Sequence, residues 1–136
     1  MKHLLIPIDG SDLSIKSVKA IEQIFPPARA DVTLLTVRED ADSSSMVIRD
    51  QMEKETMPLL DKAASLIPSY TVHKAVEFGI PGHVILRYAK QHGTDVIIIA
   101  RRTNSALSSL LGSVATHLVK YAHCPVIVLP EGNIDL

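Results

Sequence analysis

The sequence predicts an α/β fold: an open five-stranded parallel sheet with helices on both faces. Two observations carry this. Five short apolar runs alternate with four segments of helical periodicity, in the order βαβαβαβαβ. Alternation of this kind builds parallel sheets by crossover units. One of the runs, "DVIIIA" (95–100), is apolar throughout after its first residue, the pattern of a strand covered on both faces. With 136 residues and 46% hydrophobic content, the chain has enough material for one core, and it reads as a single domain over 1–136.

The first strand is "HLLIPID" (3–9), closed by Pro7 and Asp9-Gly10. Ser11 or Asp12 caps the following helix, where Ile15, Val18, Ile21 and Phe25 recur at helical spacing until Pro26-Pro27 stops it. "DVTLLTV" (31–37) is rich in β-branched residues and makes the second strand. A polar break, 39–45, precedes a helix over 46–66 with Met52, Leu59, Ala63 and Ile67 on one face. Pro58 predicts a kink or interruption in that helix. "YTVHKAVEF" (70–78) is the third strand. Gly79 and an N1 proline, Pro81, open the third helix, which Gly93 ends. Strand four is 95–100. Gly112-Ser113 starts the last helix, and the final strand is 126–130.

Formal net charge is −1, which gives no general electrostatic grip on nucleic acid or an anionic membrane; neither is expected as a partner. The single cysteine, Cys124, fits a reducing compartment. No run approaches the ~20 apolar residues of a membrane span, and "MKHLLIPIDG" is too short for a secretory signal. The expected location is the cytoplasm.

Right-handed crossovers require the strand order to reverse somewhere, and ligands bind at that reversal, beyond the carboxyl ends of the strands. The residues found there are Pro7, Asp9 and Gly10 after strand one, Val37 at the end of strand two, and the loop 100–111 after strand four. Gly112-Ser113-Val114 begins a helix whose amino end attracts phosphate; the same residues also suit a plain helix cap. Asp9 could accept from a ribose hydroxyl or an adenine amine, hold a metal, or cap the helix after strand one. Arg101 and Arg102 could pair with phosphate or stand solvated in the loop. Catalysis has little support. Ser113 and His117 lie one helical turn apart, yet no third group is visible to orient the base. The histidines at 3, 73, 83, 92, 117 and 123 show no metal-ligand spacing.

Taken together, "HLLIPIDGSDLSIKSVKAI", "VTLLTV", "DVIIIA" and "LLGSVATHLVKYAHCPVIVLP" resemble the universal stress protein family over residues 2–130. The resemblance implies a Rossmann-like fold of the adenine nucleotide alpha hydrolase-like type. It also implies a homodimer through the final strand, 126–130, and a non-catalytic role in stress response with a regulatory protein partner. Members of that family that bind ATP carry Gly-x-x-Gly, nine residues, then Gly-Ser or Gly-Thr. By likeness, Pro7, Asp9 and Val37 fall on the adenosine part of such a site, and Gly112, Ser113 and Val114 on the phosphate part. Ala100 and Thr103 stand where the first two glycines belong, and eight residues, not nine, separate Thr103 from Gly112. Aligned backwards from Gly112 the positions become Ile99 and Arg102, and no glycine is restored. A side chain there blocks close approach of the backbone to phosphate. The expectation is weak or absent ATP binding. The alternative is an adenine-nucleotide (ATP or AMP) protein, with slow hydrolysis and with Arg101 or Arg102 replacing the lost cradle.

Overall fold

The structure is a computed structural model that describes residues 1–39, 45–101 and 111–129. Five parallel strands form one sheet: β1 (Lys2–Pro7), β2 (Ala30–Arg38), β3 (Thr71–Phe78), β4 (Val96–Ala100) and β5 (Val126–Leu129). Their order is β3-β2-β1-β4-β5. The chain therefore walks outward from β1 to β3, crosses back, and continues from β4 to β5 on the other side. The reversal lies between β1 and β4. The four helices are α1 (Asp12–Ser17), α2 (Met46–Ala64), α3 (Pro81–Gln91) and α4 (Ser113–Tyr121).

The two cores follow from the period of a strand, which sends successive side chains to opposite faces. Leu4, Ile6, Val32, Leu34 and Ile98 face α1 and α2, where Ile15, Ile21, Leu60 and Ile67 meet them. Leu5, Leu35, Ile97 and Ile99 face α3 and α4, against Ile85, Ala89, Ala115 and Leu118. The sheet is thus a partition with α1 and α2 on one side and α3 and α4 on the other, the arrangement that two opposite walks of right-handed crossovers produce.

Three elements differ from the expectation. β1 ends at Pro7, although Ile8 N–H still donates to the Leu35 carbonyl at 2.8 Å. The first helix is not continuous to Phe25: α1 gives way to a 3₁₀ segment, Val18–Gln23. Ahead of that segment, within α1, stands a ladder of serines spaced by three. Ser14 Oγ donates to the Ser11 carbonyl (3.0 Å) and Ser17 Oγ to the Ser14 carbonyl (2.8 Å), side-chain bonds that compete with the α-helical pattern. α2, in contrast, runs uninterrupted through Pro58. Pro58 is exposed, so the carbonyl that loses its intrahelical partner faces water, and the buried stripe of Met52, Thr56, Leu60 and Ala63 is untouched. The loop residues 40–44 and Pro130 lie outside the described residues.

Candidate functional site

A cleft of about 560 Å³ opens at the reversal, beyond the carboxyl ends of β1, β2 and β4. Its first wall begins with the turn after β1. Gly10 has φ +94°, a conformation that glycine alone adopts cheaply. The turn is set by Asp9, whose Oδ1 accepts from Ser11 N–H at 3.0 Å. Ser11 then caps α1, its side chain accepting from Ser14 N–H at 3.1 Å. Asp9 therefore shapes the entry to α1, while Ser11 performs the capping.

Beside this turn, Thr36 is buried, and its hydroxyl donates to the Ile8 carbonyl at 2.8 Å. That bond fixes the backbone where β1 leaves the sheet. At the end of β2, the Arg38 guanidinium donates to Thr56 Oγ1 (2.9 Å), and Thr56 in turn donates to the Met52 carbonyl (2.7 Å). Glu55 lies 3.9 Å from the same guanidinium. α2 is in this way fastened over one side of the cleft, with Glu55, Thr56 and Leu59 on its wall.

The opposite wall comes from β4 and α4. Ala100 is buried at the end of β4. The next residue, Arg101, is half-buried, and its carbonyl accepts from Gly112 N–H at 2.9 Å. This bond ties the two ends of the long loop together. Gly112 is the N-cap of α4 with φ −64°, a value open to any residue, and it brings no side-chain bond to the first turn. Ser113 and Val114 follow, with Ser113 exposed.

Of the residues singled out from the sequence, Pro7, Asp9, Val37, Ala100, Ser113 and Val114 line the cleft. Arg101 and Gly112 sit at its border, joined to each other, and are not on its wall. Arg102 and Thr103 lie outside the described residues. Sequence reasoning missed Ser14, Thr36, Arg38, Glu39, Glu55 and Thr56 on the wall. Arg38 and Glu39 had a signal, since they directly follow Val37 at a strand end; the α2 residues had none.

Ser113 and His117 make no hydrogen bond among the described residues. The His117 ring turns instead toward α3 and Tyr121, 4.9 Å from the ring of His83 and 4.9 Å from that of Tyr121. The described residues contain no group of three His, Cys, Asp or Glu side chains placed to hold a metal, and no described helix is long and apolar enough to cross a membrane. Cys124 is half-buried against the α3–α4 core, and burial pushes its thiol pKa up, which suits packing better than reactivity.

Comparison with known proteins agrees with the geometry. The model of the universal stress protein family matches residues 1–130. Universal stress protein MJ0531 of Methanocaldococcus jannaschii is 30% identical over 140 aligned positions, covering 96% of this chain and 82% of that protein. Universal stress protein YxiE of Bacillus subtilis is 29% identical, covering 93% of this chain and 97% of its own. Among solved structures, the hypothetical protein MJ0577 superposes with a TM-score of 0.81 at 24% identity over 97% of both chains, which establishes the five-stranded α/β fold. Universal stress proteins solved with cAMP, with dAMP (from Archaeoglobus fulgidus) and with AMP (from Arabidopsis thaliana) share the fold at TM-scores of 0.73, 0.66 and 0.67. Their identities are 18%, 15% and 19%, with at least 95% of both chains covered.

Proposed function

The chain belongs to the universal stress protein family, and on that premise we propose that it is a non-catalytic stress-response regulator. Its cleft takes an adenine nucleotide by the adenosine part and holds ATP weakly. The observation that carries this reading is the bond from Gly112 N–H to the Arg101 carbonyl, 2.9 Å long, at the mouth of the phosphate side. An amide already committed to a carbonyl has nothing to offer a phosphate until that bond opens. Ala100 adds a methyl group where a glycine would leave bare backbone. Charge points the same way. Asp9, Glu39 and Glu55 bring three carboxylates to the cleft against the guanidinium of Arg38, and a triphosphate is repelled more than a monophosphate. The adenosine side is supported by Pro7, Asp9 and Val37 on one wall. Each of the three nucleotides bound in the related structures carries a single phosphate.

A second reading, an ATP-binding protein with slow hydrolysis, draws on Ser113 and Val114, which keep the amino end of α4 on the cleft. Titration calorimetry with AMP, ADP and ATP, with and without magnesium, separates the two. The first reading expects AMP to bind at least as tightly as ATP, with ATP no better than the high micromolar range. ATP that copurifies with the protein, or a dissociation constant in the low micromolar range, would sink it. The pair Ala100→Gly with Thr103→Gly should raise ATP affinity about tenfold, or about 1.4 kcal/mol; a flat response would assign the loss to loop length.

We also propose a homodimer through the final strand and a regulatory protein partner. β5 pairs with β4 on one side only and ends the sheet. Its Val126, Ile127 and Val128 are half-buried and leave apolar surface at an edge that a twin would cover. Light scattering at high concentration that gave a monomer mass would count against the dimer.

A further inference from the structure

We propose that the face formed by α3 and α4 is a docking surface for an acidic protein segment. This goes beyond the regulatory reading by giving the partner's chemistry, and it requires no nucleotide. The first support is how charge is distributed. Residues 1–77 hold twelve of the fifteen acidic residues, whereas residues 78–130 hold only Asp95 among five Lys and Arg and four His. α3 and α4, which share the face opposite α1 and α2, both come from the basic part of the chain, and Glu77 of β3, whose charge acts on Tyr88, borders them. Neither α3 nor α4 contains an acidic residue. Arg87, Lys90 and Lys120 are exposed on them. Among the described residues none of these three has a carboxylate at ion-pair distance, whereas Asp31, Glu55 and Asp61 each hold an ion pair elsewhere.

The second support is a strip of rings across the seam between the helices. His83 of α3, then His117 and Tyr121 of α4, follow one another at 4.9 Å, and Lys120 Nζ stands 5.9 Å over the Tyr121 ring. Gly82 makes the seam possible, since a Cβ there would lie 2.6 Å from His117 Cδ2. Tyr121 is 62% exposed. Planar rings on the same helices as exposed cations make a recognition surface, because such groups gain most when desolvated by a partner.

The cations are too few to follow a phosphate backbone over its length, and the overall charge of −1 adds no general attraction for one. A short run of carboxylates on a protein matches both the sign and the size of the patch.

The test is fluorescence anisotropy of the full chain with a fluorescein-labelled oligoglutamate peptide, at about 0.1 M salt, where the Debye length is about 10 Å, and without nucleotide. The triple variant Arg87→Glu/Lys90→Glu/Lys120→Glu should weaken binding at least about tenfold. The triple Lys16→Glu/Lys19→Glu/Lys62→Glu, on the opposite side of the sheet, should leave it within about twofold, since the sheet separates it from the patch and salt screens the rest. Tyr121→Ser, which changes no charge, should weaken it about threefold through the lost ring contact. The proposal fails if the peptide does not bind, if both triples weaken it equally, or if Tyr121→Ser has no effect. It also fails if a single-stranded oligonucleotide or a phosphatidylserine vesicle displaces the peptide at lower concentration than unlabelled peptide does.

Discussion

The two walls of the cleft start alike, each as a strand running out of the sheet toward a helix, and they finish differently. On the β1–β2 side, side chains fasten the backbone: Thr36 to the Ile8 carbonyl, Asp9 to Ser11, Ser11 to Ser14. On the β4–α4 side a backbone bond, Gly112 to Arg101, joins strand end to helix start, and the Gly112 cap brings no side-chain bond to α4. The turn into α1 is thus preorganised by side chains that carry sequence information. The start of α4 is capped without one. That difference bears on the proposed nucleotide reading, which puts the side-chain-fastened wall, with Pro7 and Asp9, against adenosine and the Gly112–Arg101 end against phosphate.

Substitutions on the two walls and in the core behind them test this contrast, and all are read by chemical denaturation. The largest effect is expected for Leu35→Ala on the cleft floor. Leu35 is fully buried between β2 and the α3–α4 core, and its loss should cost about 3 kcal/mol in transfer and cavity energy. Gly82→Ala should follow at about 2 kcal/mol, because the added Cβ drives His117 out of the α3–α4 seam. Thr36→Val keeps the shape but strips the Ile8 carbonyl of its buried donor, for about 1.5 kcal/mol. Ser113→Ala, on the exposed start of α4, should change stability by less than about 0.5 kcal/mol. Equal costs for Thr36→Val and Ser113→Ala would erase the distinction between the walls.

Most of the fold was legible because period and length decide it. Five apolar runs and four helical segments lie where the pattern puts them, within two or three residues at each end except for the first helix, whose α-helical part stops at Ser17. The strand order then follows from handed crossovers rather than from any local signal. The break in the first helix was not legible, because the helical spacing of Ile15, Val18, Ile21 and Phe25 runs on through the 3₁₀ segment. Pro58 misled because its effect depends on which side of α2 meets water, and a sequence does not print orientation. The cleft was half legible. Residues at strand ends are found by counting, which delivers Pro7, Asp9, Val37 and Ala100. Glu55, Thr56 and Leu59 arrive from a helix whose tilt across the sheet is settled by packing. Thr36 matters through register: only when Pro7 lies beside Leu35 does its hydroxyl reach the Ile8 carbonyl.

The bond between Gly112 and Arg101 has a mechanical consequence. It holds the residue that follows β4 against the residue that caps α4 at 2.9 Å, so a load on the strand end passes to the helix start across one backbone bond.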